Sequence, residues 1–153
     1  MNTVRLLSVC VLGLLLGSAA LANPQRLDDS GSHTVPPNVQ MQWRPLPPSG
    51  GAEPGMEAWV RVNLRIDTRQ WVGRSGRIYM VLPRDQASSI EAVWTTQGRL
   101  LPGRLVSGDR TLVHTGTIHT ATLEDQLLVR LRSGADWQGN SRRLNFHFEL
   151  DAD

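Results

Sequence analysis

The stretch Asp67–Tyr79, DTRQWVGRSGRIY, concentrates side chains suited to molecular recognition. Two aromatic rings stand among three guanidinium groups: Trp71 and Tyr79 beside Arg69, Arg74 and Arg77. Aromatic faces offer large contact areas, and guanidinium groups bind carboxylates and phosphates in a fixed geometry. The stretch therefore predicts a platform for a sugar or an acidic polymer. The alternative is a long hairpin whose Trp71 folds back over the core.

Histidines and carboxylates show no arrangement typical of catalysis or metal binding. His114 and His119 have opposite parity if they share one strand, and their spacing with His147 matches no zinc motif. Glu124 and Asp125 are adjacent, so in a strand they would face opposite ways. The chain contains no nucleophile elbow, P-loop or dinucleotide-binding glycine motif. We therefore expect no catalytic residues, no metal and no cofactor.

The basic residues are all arginine, sixteen in number, against fourteen acidic residues. The bias towards arginine reflects either codon usage or a guanidinium-rich surface for anionic partners. A formal net charge of +2 gives no strong electrostatic field. No basic run is interleaved with aromatic residues, so we expect no nucleic-acid partner.

The first 22 residues have the organisation of a secretory signal peptide. Arg5 supplies the positive charge, Leu6–Leu16 is apolar, and Ala20-Leu21-Ala22 is a cleavage site. The apolar run is shorter than the ~20 residues of a membrane-spanning helix. Cleavage would remove Cys10 and leave a cysteine-free mature chain that begins at Asn23. The sequence predicts export to the periplasm or cell surface, with no transmembrane segment in the mature chain.

Residues 23–55 are rich in proline, glycine and serine and are predicted to form an irregular arm. Within them, Val39, Met41 and Trp43 alternate with glutamines, which predicts a short strand over residues 39–43. Prolines on both sides are typical of a sheet edge. The strand could pair within its own domain or with another chain.

Residues 56–153 alternate between apolar and polar residues in short runs, separated by turn signals about every 8–12 residues. This pattern predicts about seven strands in a single antiparallel β-sandwich, Ig-like or related. The chain ends on a regular strand pattern over residues 144–150. We expect Phe146 and Phe148 to lie in the core with Leu144 and Leu150, His147 to face outward, and the strand to be central in its sheet.

These features predict an exported, non-catalytic cell-envelope protein with a structural or protein-interaction role. Its most concrete version is a surface-fibre subunit or accessory, with Val39, Met41 and Trp43 as the interacting segment of the arm. The alternative is a module that binds a glycan or another envelope polymer through the Asp67–Tyr79 loop. The expected partner is accordingly an envelope protein or a glycan.

Overall fold

The computed structural model describes residues 23–45, 50–51, 54–84, 90–134 and 145–153. In these residues the chain is all-β, with one turn of 3-10 helix at Arg69–Trp71. Their ten strands form two antiparallel sheets: β1 (Gln25–Leu27), β2 (His33–Val35), β3 (Gln42–Trp43), β4 (Gly55–Asp67), β5 (Ser75–Val81), β6 (Ile90–Thr96), β7 (Gly103–Val106), β8 (Arg110–Thr117), β9 (Thr122–Gly134) and β10 (His147–Ala152). Seven of these strands lie after residue 54, which agrees with the number predicted.

The larger sheet has the strand order β2-β4-β9-β6-β7, and β3 also pairs with β4. Its centre is the ladder between β4 and β9, which runs from Gly55 opposite Gly134 to Asp67 opposite Thr122. Buried residues alternate with less buried ones over residues 58–61 and 127–134, so there each strand turns one face to the core and the other outward. This long ladder is the frame on which the other strands of the sheet align.

The smaller sheet has the strand order β1-β10-β5-β8. The C-terminal strand β10 pairs with β5 over six residues and with β1 over three. It is therefore an interior strand, as the sequence predicts.

The core lies between the two sheets and follows the predicted inward positions. Ile66, Ile78 and Val113 are fully buried. Trp94 is 2% exposed, and its indole N–H donates a hydrogen bond to the Leu101 carbonyl at 3.1 Å. A buried indole thus keeps a partner for its polar group while it contributes a large apolar area.

The two phenylalanines near the C-terminus differ in burial, which corrects the prediction that both lie in the core. Phe148 is 3% exposed, whereas Phe146 is only partly buried and packs against the edge of the core. The difference arises because β10 begins at His147, so Phe146 precedes the paired strand. His147 is half-buried and lies 3.0 Å from Glu149, its neighbour on the same face of the strand.

A corner at residues 107–109 carries the chain from the larger sheet to the smaller one. Gly108 has a φ of +93°, a conformation that side chains rarely adopt, and its N–H donates to the Leu82 carbonyl at 2.8 Å. The turn signal between β7 and β8 was correctly placed. The turn signal does not indicate that these two strands belong to different sheets.

The arm forms three short strands, one in the smaller sheet and two in the larger sheet. Leu27 of β1 is 4% exposed in the smaller sheet, while β2 and β3 lie along β4 in the larger one. The strand predicted over residues 39–43 is present only at Gln42–Trp43. Strands of two or three residues carry too little alternation to be read from sequence. The predicted signal peptide and Leu144 lie outside the described residues.

Candidate functional site

The loop between β4 and β5 is tied to the connection between β8 and β9. Thr68 is buried, and its hydroxyl donates a hydrogen bond to the Thr120 carbonyl at 2.7 Å. The backbone N–H of Thr68 donates to the Ala121 carbonyl at 2.9 Å. The Gly73 N–H donates to the Ile118 carbonyl at 2.8 Å. These bonds make the loop a fixed connection between the sheets.

Within this loop the charged and aromatic groups bind one another. The Arg69 guanidinium donates to both carboxylate oxygens of Asp67, with contacts of 2.5–3.1 Å. These hydrogen bonds lower the pKa of Asp67 below its ordinary value. Arg74 lies over the Trp71 ring, 4.8 Å from its centroid, and Trp71 packs against the core. Trp71 thus folds back over the core, as the hairpin interpretation states.

Tyr79 belongs to a different cluster, on the outer face of the smaller sheet. The Arg110 guanidinium covers its ring at 3.7 Å from the centroid. The same guanidinium lies 2.5 Å from Asp151 and 3.6 Å from Glu149. The Arg110 guanidinium therefore covers one face of the tyrosine ring through a cation–π contact, and two carboxylates hold it there through ion pairs.

The five residues predicted to form one platform divide between two places. The loop holds one group and β5 carries the other: Trp71, Arg69 and Arg74 in the loop, Tyr79 and Arg77 on the strand. A strand rises about 3.3 Å per residue, so Tyr79 lies roughly 13 Å along β5 from Ser75. Sequence reasoning missed Arg110 because strand pairing, and not chain proximity, brings β8 beside Tyr79.

The arm residues predicted to interact with another chain serve their own domain in part. Val39 and Met41 are partly buried and pack against the core. Trp43 is 62% exposed at the edge of the larger sheet. Two of the three side chains are therefore used within the chain itself.

The outer face of the larger sheet carries an exposed group that sequence reasoning did not assemble. We call it the outer patch and define it by five residues: Val35, Trp59, Arg61, Leu128 and Arg130. Trp59 is 54% exposed, Leu128 43% and Val35 42%. Arg61 stands opposite both Val35 and Leu128, and Trp59 stands opposite Arg130. Directly opposed and diagonal cross-strand neighbours lie within contact range, so the patch is continuous.

The two arginines of the outer patch, Arg61 and Arg130, differ from Arg104 on the same sheet in that they form no salt bridge in the part of the chain that the structure describes. Arg130 lies over the Trp59 ring at 5.5 Å, and its enclosed Nε atom has no hydrogen-bond acceptor among the described residues. Within the same ranges Arg61 makes no ion pair. By contrast, Arg104 lies 2.8 Å from Glu91 and lowers the pKa of that carboxyl. The patch thus combines apolar area with two guanidinium groups that form no salt bridge within the described ranges, and Arg130 contributes to the lowered pKa of Glu91.

A second feature is an apolar opening between the sheets, which we call the inter-sheet cleft. It has a volume of about 1300 Å³ and is bounded by strands of both sheets and by the arm. The deeper walls are buried side chains such as Val60 and Met80, and the mouth has partly buried ones such as Met56 and Phe146. The volume exceeds the ~300–1,000 Å³ of typical ligand pockets.

Comparisons with protein families, with curated proteins and with solved structures found no match for this chain. No group of three potential metal ligands occurs in the described ranges. The described residues also contain no helix long and apolar enough to cross a membrane. The two surfaces above are therefore interpreted from their own geometry.

Proposed function

We propose that this chain is an exported, non-catalytic cell-envelope protein with a protein-interaction role, and that it binds its partner through the outer patch. The observation that carries the proposal is the exposed Trp59 beside two arginines that form no salt bridge among the described residues, on the central ladder of the larger sheet. Tryptophan and arginine are the residues most enriched at the centres of protein interfaces. Trp59 and Leu128 supply apolar contact, and Arg61 favours a partner with an acidic side chain at the rim.

We also infer that the two sheets form a β-sandwich of the Ig-like or a related type. Two antiparallel sheets around one apolar core support this architecture. A long central ladder in such a fold holds outward side chains in fixed positions. Presentation of a binding patch on that ladder costs little conformational entropy on association.

Packing of Val39 and Met41 on their own core supports an accessory role over a fibre subunit that donates its arm. No specific observation favours the glycan-binding alternative. The ring of Trp71 packs against the core and Arg74, and the ring of Tyr79 is covered by Arg110.

The test begins with the partner captured by the tagged mature protein from envelope extracts and then purified. Direct binding of that partner would be measured for the Trp59→Ala and Arg61→Glu variants. We expect each to weaken binding by at least about tenfold, because central tryptophan and arginine residues contribute ~2 kcal/mol or more at interfaces.

Trp43→Ala is the matched control, since Trp43 is 62% exposed against 54% for Trp59 but lies in the arm at the edge of the sheet. It should bind as the unaltered protein does, with the same melting temperature. If the Trp59→Ala, Arg61→Glu and Trp43→Ala proteins all bound the partner with the same affinity, the partner would contact another surface. That result would refute the proposed role of the outer patch.

A further inference from the structure

The inter-sheet cleft is a separate site from the outer patch, because it opens onto the inner faces of the sheets. The larger sheet contributes Val60, Val62 and Leu127, and the smaller sheet contributes Met80 and Phe148. Protein interiors are ordinarily packed with few voids larger than a water molecule. The cleft, of about 1300 Å³, is open on one side, and side chains at its back such as Trp94 and Leu127 are only 1–2% exposed. Its accessible apolar surface lies beneath the arm, beside the partly buried Met41 and Phe146, and is a candidate for an apolar guest.

Methionine is concentrated around this space. The chain has four methionines, and all three in the described residues line the cleft: Met41 from the arm, Met56 from β4 and Met80 from β5. Methionine side chains are unbranched and polarisable, so they adapt to guests of irregular shape. They also surround the cleft from three sides, which makes them reporters of its occupancy.

The mouth of the cleft is polar but almost uncharged. Amide side chains of Asn38, Gln40 and Asn145 line it, while Asp29 and His33 are its titratable groups. None of the chain's arginines lines the cleft within the described ranges. Among the described residues of the mouth, an anionic headgroup would find no arginine, and loss of its water without a compensating partner is costly. Amides can instead donate to and accept from hydroxyl groups.

The arm forms the outer wall of the cleft, and its residues 37–41 lie between two short strand pairings. Three residue pairs join β2 to β4 and two join β3 to β4, while residues 37–41 between them line the cleft outside any strand. Movement of this short segment would open the cleft and leave the long β4–β9 ladder intact. Segments with few backbone bonds are the ones that open at low free-energy cost.

We propose that the inter-sheet cleft binds one aliphatic chain of an uncharged amphiphile. The alkyl chain lies beneath the arm at the open side of the cleft, against the methionines, and a hydroxylated headgroup meets the amides at the mouth. The site is independent of the outer patch, so failure of either proposal leaves the other standing.

The probe is 1-monolauroylglycerol, used below its critical micelle concentration, with the full-length mature protein carrying ¹³C-labelled methionine methyl groups. We expect saturable shifts of the Met41, Met56 and Met80 methyl signals. Lauric acid has the same chain with a carboxylate and should bind at least about tenfold more weakly at pH 8, because no arginine of the described residues lines the mouth. Glycerol alone should cause no shift.

Val62→Trp would fill part of the cleft, and Val93→Trp is the matched control on the outer face of β6. Only the first should abolish the methyl shifts. If Val62→Trp does not fold, the lipid titration of the unaltered protein still decides. Absence of saturable shifts, tighter binding of laurate than of the glyceride, or full binding by a folded Val62→Trp protein would each overturn the proposal.

Discussion

At the scale of single residues, whether a side chain is buried or exposed follows from the face of the sheet on which it lies. Trp59 and Trp94 both occupy alternating strands of the larger sheet, yet one is 54% exposed and the other 2%. Parity along each strand predicts this difference, because successive side chains point to opposite faces. Parity does not predict which outward side chains become neighbours. Arg61 and Leu128 are 67 positions apart in the chain and stand directly opposite each other.

Burial predicts that the two C-terminal phenylalanines contribute differently to stability. Phe148→Ala should lower the free energy of unfolding by about 3–5 kcal/mol, the range for a fully buried phenylalanine. Phe146→Ala should cost less than about 2 kcal/mol, because this ring is only partly buried. Urea melts of both variants provide the measurement. Equal losses would show that Phe146 is as deeply packed as Phe148.

His114 should make stability depend on pH. Burial lowers the pKa of His114 below its ordinary value, and the nearby His119 lowers it further. The unfolded chain therefore takes up the proton first, so stability should fall as the pH drops below about 6.5, until the folded-state pKa is passed.

Urea melts between pH 7.5 and pH 5 would test this, and His114→Gln should flatten the dependence. The same slope in the His114 variant as in the unaltered protein would contradict the assignment.

At the scale of elements, the arm and the C-terminal strand depend on each other. Strand β10 is interior only because β1 from the arm covers its second edge, with Leu27 opposite Phe148. In the same way β2 and β3 cover one edge of β4. Uncovered edges of this kind present unpaired backbone groups to other chains.

Removal of residues 23–51 should therefore leave a folded β domain that is less stable and self-associates. Seven strands remain, so we expect a loss of at most a few kcal/mol in the free energy of unfolding, together with oligomers formed through the β4 and β10 edges. Thermal melts and size-exclusion chromatography would measure both effects.

Leu27→Ala in the full-length mature chain is the control, since it removes one buried side chain and keeps every edge covered. It should lower stability by about 2–3 kcal/mol, no more than the truncation does, and without self-association. If instead the full-length protein ran as SDS-resistant multimers and the truncated chain were insoluble, the arm would act between chains, and the fibre-subunit version would replace the accessory role.

At the scale of the whole molecule, the proposed export signal and the fold are compatible. Cleavage after Ala22 would leave two residues before β1 begins at Gln25, so the smaller sheet would be complete in the mature chain. We expect the exported protein to begin at Asn23, because the A-x-A site follows an apolar run of signal-peptide length. N-terminal sequencing of the exported protein measures this. A lipid-modified terminus at Cys10 would contradict it and place the protein on a membrane anchor.

The sequence by itself determined the all-β class, the number of strands after residue 54 and the inward face of most of them. Period-two alternation is a local property, and residues such as Ile66, Ile78 and Leu127 are buried where it predicts. It could not show the short strands of the arm, which have too few residues for a pattern.

Only the tertiary structure decided which side chains meet. Trp71 and Tyr79 are close in the chain but belong to different clusters, whereas Arg110 reaches Tyr79 through the pairing of β8 with β5. The outer patch and the inter-sheet cleft were invisible in the sequence for the same reason. Both are assembled from several strands, and the physical cause is that sheet register is set by long-range backbone pairing and by burial of a shared core.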